Sequence, residues 1–234
     1  MMDGRKKILF DLDDTILDFH SAERYAISIT FRDLGIPVDE SVLSRYSEIN
    51  LSCWQQLERG MMSREEVLVR RFEMLFSELG VSCSAVKART LYEEMLGSVF
   101  FFVPGAPELL ETLYPRYDLY LVSNGNADLQ ERRLDSAGIR QYFKDVFVSE
   151  HIGANKPSKA FFDACFAAIP GFRIEDALIV GDSLSSDIRG GINAGVRTCW
   201  FNPSRKQAGE DICPDYEIRE LCELPALLER IFEE

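Results

Sequence analysis

Several things are scarce in this sequence, and each scarcity removes a class of protein. No two of the six cysteines (Cys53, Cys83, Cys165, Cys199, Cys213 and Cys222) form a close CxxC pair, and none has a histidine cluster beside it. A disulfide framework is therefore not expected; the thiols read as reduced. There are only two histidines, His20 and His151, and isolated histidines of this kind are ordinarily structural. Long apolar runs are missing as well. The most apolar stretch, Val99 to Val103, falls far short of the about 20 residues a membrane-spanning helix needs. Positive charge is in deficit, with 26 basic against 39 acidic side chains and a net charge of −13. A general affinity for nucleic acid polymers or anionic membranes is thereby excluded. The segment Met1 to Lys7 is short and basic, but the apolar run after it is broken at once by Asp11, Asp13 and Asp14. No signal peptide is expected, and the cytoplasm is the expected compartment.

What remains is the composition of a folded protein. The 234 residues are 46% hydrophobic and 28% charged, enough for one large domain or for a domain carrying an insertion. Short β-branched or aromatic runs at Ile8 to Phe10, Leu119 to Val122, Val146 to Val148, Leu178 to Val180 and Thr198 to Phe201 alternate with helical patterns. That alternation predicts βαβ units and a parallel sheet, an α/β fold. In such sheets ligands collect beyond the carboxyl ends of the strands. The alternation fails over residues 18–100, where successive amphipathic patterns predict helices, including Ala22 to Leu34, Val42 to Leu57 and Glu65 to Leu79. Ser63, with Glu66 three residues on, predicts a capping box for the last of these. The expected organisation is a core of residues 1–17 and 101–234 interrupted by a helical domain over 18–100. Pro203 to Pro214 reads as a polar loop.

Four strand ends carry chemistry. The first runs into Asp11-Leu12-Asp13-Asp14-Thr15, two carboxylates at alternate positions, a costly pair unless a cation neutralises it. The second ends in Ser123-Asn124-Gly125, whose hydroxyl and backbone donors suit phosphate oxygens, although such a tripeptide is also an ordinary turn. After the third, Lys156 precedes Pro157 in the loop entering a helix, placed to carry positive charge into a cleft. The fourth ends in Gly181-Asp182, with Asp187 about a turn further on. That pair fits a hard cation with oxygen ligands, or a helix cap. Each motif alone has an unremarkable reading. Their conjunction at one sheet edge, in a protein whose overall charge repels anions, points to phosphoryl transfer with local positive charge from a metal or a buried lysine. The glycines from Gly190 to Gly195 lie at the end of a helix rather than after a first strand, which argues against a dinucleotide site.

With these residues in place, the chain resembles the haloacid dehalogenase superfamily of phosphohydrolases from about Ile8 to Pro203. The resemblance implies a Rossmann-like parallel-sheet core with an α-helical cap inserted after the first motif. It also implies that Asp11 attacks phosphorus to form an aspartyl-phosphate. Asp13 would protonate the leaving oxygen and later deprotonate water, while Ser123, Asn124 and Lys156 hold phosphoryl oxygens. Mg²⁺ is implied, bound by Asp11, the Asp13 carbonyl and Asp182, with Asp187 in or near its shell. The segments Ile49 to Trp54, Ser123 to Gln130 and Gly190 to Pro203 are similar to the bacterial pyrimidine 5′-nucleotidase branch. Phe19, His20 and Trp54 then offer an aromatic shelf for a base, with cap packing as the equally simple reading.

The expected activity is Mg²⁺-dependent hydrolysis of a small phosphomonoester, with a pyrimidine nucleoside 5′-monophosphate as the expected substrate. A sugar-phosphate phosphatase or a phosphomutase would share all four motifs. A non-enzymatic phospho-acceptor would carry its aspartate on a central strand without a helical insertion, and a binding protein on this fold would be expected to have lost one of Asp11, Asp13, Lys156 or Asp182. Oligomeric state is not legible in the sequence.

Overall fold

The computed structural model describes residues 4–209 and 211–232. Strand β1 (Lys7–Phe10) leads to α1 (Phe19–Asp33), α2 (Glu40–Glu58), α3 (Arg64–Leu79) and α4 (Ala85–Leu96). Then come α5 (Ala106–Leu113), β2 (Asp118–Ser123), α6 (Ala127–Ser136), β3 (Phe143–Val148), α7 (Ser149–Ile152) and α8 (Lys159–Ala168). The chain closes with β4 (Ala177–Gly181), a π-helical turn over Leu184–Ile188, α9 (Arg189–Ala194), β5 (Arg197–Phe201), β6 (Tyr216–Ile218) and α10 (Leu224–Phe232).

The six strands form one sheet in the order β3-β2-β1-β4-β5-β6, and every pairing is parallel. All four residues of β1 are buried, as expected of a strand covered on both faces. Alternation along it feeds two cores. Ile8 and Phe10 pack with Leu119, Leu121, Leu178 and Val180 beneath α5 and α10, while Leu9 packs with Tyr120, Val122, Ile179 and the Phe161–Phe162 pair of α8. This is the Rossmann-like α/β architecture. Strand order reverses about β1, whose two neighbours are β2 and β4, and such a switch point opens a crevice at the carboxyl ends of the strands. Strand β1 is thus itself a central strand, so strand position does not separate this chain from a phospho-acceptor, and the helical insertion does.

The sixth strand went unforeseen in the sequence. With three residues at the sheet edge, only one of them buried, it is too short to show periodicity.

The chain divides into two compact units, Met1–Asp18 with Phe102–Glu234, and Phe19–Phe101. The second holds α1 to α4. Its α3 begins in a capping box, Ser63 Oγ accepting from the Glu66 amide at 3.3 Å and the Glu66 carboxylate accepting from the Ser63 amide at 2.7 Å, and ends on left-handed Gly80. Its interior is partly ionic. Buried Glu23 accepts hydrogen bonds from the Ser47 hydroxyl and, at 2.6 Å, from Asn50 Nδ2. Asn50 Oδ1 accepts from Arg71 at 2.8 Å, and the Arg71 guanidinium stacks over Tyr92 at 4.9 Å and Phe72 at 5.3 Å. Three helices are thus tied through one buried relay.

Candidate active site

The site grows from the end of β1. The Asp11 amide donates to the Val180 carbonyl at 2.9 Å, continuing the ladder with β4 one residue beyond the strand. Asp14 then turns the chain in the left-handed region, φ 59°, which aspartate tolerates better than most residues. The Asp14 amide donates to Leu17, and the Ile16 and Leu17 amides donate back to Leu12. Buried Thr15 accepts the Asp182 amide at 3.1 Å, tying this loop to the end of β4.

Lys156 lies at the centre, 2% exposed. Its ammonium donates to Asp11 Oδ1 at 2.6 Å, Asp187 Oδ1 at 2.7 Å and the Val122 carbonyl at 2.8 Å, which uses all three of its protons. The sequence reading put Asn124 on the phosphate. Here both groups of its side-chain amide are committed to the lysine's backbone, Oδ1 accepting from Lys156 N at 2.8 Å and Nδ2 donating to Lys156 O at 3.0 Å. The Asn124 side chain therefore fixes the lysine's loop. Ser123, buried at the end of β2, accepts from the Gly125 amide at 3.1 Å and from Gln130 Nε2 at 2.8 Å, leaving its own hydroxyl proton to donate.

Carboxylate oxygens of Asp11, Asp182 and Asp187 come within 4.8 Å of one another. Asp187 sits in the π-helical turn, fully buried, and its second oxygen accepts from the Ser183 amide at 3.1 Å. It fits because Gly181 carries no side chain: a Cβ there would lie 2.3 Å from Asp187 Oδ2.

Negative charge dominates the cluster. Burial, followed by the neighbouring Asp187 and Asp13, pushes the Asp11 carboxyl up to about 8 against the pull of Lys156. Burial again, with Asp11 and Asp187 beside it, lifts Asp182 well above the usual carboxylate range. For Lys156 burial works the other way, favouring the neutral amine, but the carboxylates of Asp11 and Asp187 outweigh it and leave its pKa raised. One lysine does not neutralise three converging carboxylates. Three hard oxygen donors with surplus negative charge are the donor set that a small divalent cation such as Mg²⁺ takes.

The Asp13 carboxylate is not a member of that cluster. Arg133 Nη1 reaches its Oδ1 at 2.5 Å, and Gln130 Nε2 reaches its Oδ2 at 2.9 Å. These two residues of α6 were missed in the sequence. Spaced three apart on a helix of low mean hydropathy, they read as solvated side chains, and only their burial, 1% and 2% exposed, sets them apart.

The structure thus brings Asp11, Asp13, Ser123, Asn124, Lys156, Asp182 and Asp187 to one sheet edge. Phe19, His20 and Trp54 lie in the helical unit. Phe19 opens α1 half-buried, His20 beside it is exposed, and Trp54 is half-buried on α2 with the Arg64 guanidinium 6.0 Å from its ring. Among the described residues no helix is long and apolar enough to cross a membrane.

A family profile for haloacid dehalogenase-like hydrolases matches residues 8–201. The HAD-hydrolase YfnB of Bacillus subtilis is 42% identical over 95% of each chain. Its solved structure, bound to magnesium, superposes with a TM-score of 0.91 over 96% of this chain and 98% of that one. The pyrimidine 5′-nucleotidase PynA of Streptococcus pneumoniae is 36% identical over 91% of this chain and 90% of its own. The pyrimidine 5′-nucleotidase YjjG of Escherichia coli is 30% identical over 94% and 96% respectively. On fold, motif order and these relatives together, the chain belongs to the haloacid dehalogenase-like hydrolase family, as an enzyme of its phosphatase side.

Proposed function

We propose that this protein is a Mg²⁺-dependent nucleoside 5′-monophosphatase with a preference for pyrimidines, working in the cytoplasm. The observation that carries the reaction class is the seat of Asp11: a buried carboxylate, continuous with the central strand, held at 2.6 Å by a buried lysine and flanked by the Asp182 and Asp187 carboxylates. The substrate rests on the two relatives named as pyrimidine 5′-nucleotidases.

In the first half of the reaction an Asp11 carboxylate oxygen bonds to phosphorus as the ester P–O bond breaks. The departing oxygen keeps that electron pair and takes a proton from Asp13. In the second half the Asp13 carboxylate removes a proton from water, whose oxygen bonds to phosphorus and frees Asp11 and inorganic phosphate. Lys156 balances charge near Asp11 and exchanges one of its three hydrogen bonds for a phosphoryl oxygen when substrate binds, and the Ser123 hydroxyl donates to another phosphoryl oxygen. Asp11, Asp182 and Asp187, with the Asp13 carbonyl, would hold Mg²⁺, which neutralises carboxylate and phosphate charge when bound. The helical unit would serve as the substrate-selecting cap, with Phe19, His20 and Trp54 as candidates for recognising the base.

The test is a phosphate-release screen over pyrimidine and purine 5′-monophosphates and sugar phosphates, with Mg²⁺ and with EDTA, beside Asp11→Asn. Release from UMP and CMP that is lost in EDTA and in the variant is the expected result. A preference for sugar phosphates overturns the substrate, and undiminished activity of Asp11→Asn overturns the mechanism.

A further inference from the structure

The Asp13 carboxylate is gripped at both oxygens by a single helix. On α6, Arg133 donates to one oxygen and Gln130 to the other, and Arg133 also donates to Gln130 Oε1 at 2.8 Å, so the two donors brace each other. Gln130 extends the chain of contacts to the Ser123 hydroxyl. Burying a guanidinium is costly unless its charge is met. Here Asp13 is an acidic partner at hydrogen-bond distance; its side chain keeps 31% of its exposure while that of Arg133 keeps 2%. The helix itself is anchored at its first turn: the Glu150 carboxylate accepts from Asn126 Nδ2 at 3.0 Å and from the Ala127 amide at 2.8 Å.

A second observation concerns Gly125. Its φ lies outside the left-handed region, so its conformation does not demand glycine; space does. A Cβ at that position would stand 2.5 Å from Gln130 Nε2 and 2.7 Å from the two carbons before it. The turn after β2 is therefore cut away where the Gln130 side chain passes on its route to Ser123 and Asp13.

We infer that Gln130 and Arg133 are positioning residues for proton transfer: they fix the Asp13 carboxyl relative to the departing ester oxygen, and Gly125 clears the path for Gln130. This rests on the reading of Asp13 as the acid/base. A group that only stabilises the fold affects all substrates alike. One that positions the acid matters in proportion to how badly the leaving group needs a proton.

The experiment measures kcat/KM on p-nitrophenyl phosphate, whose leaving group departs as a stable anion, and on UMP, whose alkoxide must be protonated. The proteins are wild type, Asp13→Asn, Arg133→Met, Arg133→Lys, Gln130→Leu and Gly125→Ala. Asp13→Asn, Arg133→Met and Gln130→Leu are expected to lose on the order of 100-fold on UMP and under about 10-fold on p-nitrophenyl phosphate. Arg133→Lys should recover part of the loss, and Gly125→Ala should follow Gln130→Leu. If Arg133→Met does not fold, Gln130→Leu and Gly125→Ala decide alone. Selective loss in Asp13→Asn beside equal losses, or none, in the α6 variants overturns the positioning role and leaves the acid/base reading standing. An unselective Asp13→Asn overturns that reading, and this inference with it.

Discussion

At the scale of single residues, the site is shaped as much by missing side chains as by those present. Gly181 and Gly125 both follow or end strands, and neither has the positive φ that would call for glycine on conformational grounds. Each instead leaves a gap that a functional side chain fills, Asp187 in one case and Gln130 in the other. Gly181→Ala should therefore push the Asp187 carboxylate off Lys156 and out of the acidic cluster. The expected result is a loss of kcat/KM on the order of 100-fold and a higher Mg²⁺ requirement in a protein that still folds. A Mg²⁺ titration of activity measures both, and wild-type values would show that Asp187 is not needed where it lies. Asp11, Ser123 and Asp182 were legible in the sequence because strand ends in a parallel sheet converge, so the position of each at the end of its own strand was enough to bring them together, and Lys156 was legible from the loop that follows β3. Gln130 and Arg133 were not, because periodicity assigns polar residues on a polar helix to solvent. The bonds of the Asn124 side chain to the Lys156 backbone were not legible either, because sequence shows a side chain's chemistry and not which backbone its amide will bond.

Among the elements, β1 and the helices of the inserted unit illustrate opposite kinds of core. Strand β1 is buried throughout, apolar from Ile8 to Phe10 and hydrogen-bonded on both sides, which is why a three-residue apolar run sufficed to identify it. The helical unit hides a relay of Glu23, Asn50 and Arg71 inside an amphipathic pattern that could be read only as helix, not as ionic core. Asn50 holds both charged partners. Replacing it with leucine leaves a buried carboxylate and a buried guanidinium each short of a bond, and should cost about 3 kcal/mol. Urea unfolding of Asn50→Leu checks this: a midpoint within error of wild type would mean that water, not Asn50, satisfies the pair. Burial raises the Glu23 carboxyl, with the Ser47 hydrogen bond, the Arg71 charge and the Asn50 hydrogen bond pulling the other way. The boundaries of α2 and α3 were predictable to within two residues, α2 from periodicity alone and α3 from periodicity with its Ser63 cap. The edge strand β6 was not, because three residues carry no period.

For the molecule as a whole, a net charge of −13 and a core of converging carboxylates make cation binding and stability one problem. Asp11 and Asp182 have raised pKa values in the folded protein. In an unfolded chain they would titrate near about 4. Between that pH and about 8, the Asp11 value, the folded metal-free protein holds protons that the unfolded chain has released. Its stability therefore falls as pH rises through this window. Mg²⁺ takes the place of those protons, so its stabilising effect should grow over the same range. Thermal unfolding in EDTA and in Mg²⁺, at pH about 5 and about 8, should show the larger Mg²⁺ shift in Tm at the higher pH. A shift that is equal at both, or larger at the lower, would mean that the cation does not bind at these carboxylates.

In the proposed reaction the phosphoryl group passes through Asp11. Mixing enzyme, Mg²⁺ and ³²P-labelled UMP, quenching in acid within one turnover and mapping the label by peptide mass spectrometry tests it most directly. An acid-stable, hydroxylamine-labile phosphoryl group is expected on the peptide carrying Asp11 and is absent from Asp11→Asn. Label on any other residue, or full phosphate release by Asp11→Asn, would contradict it.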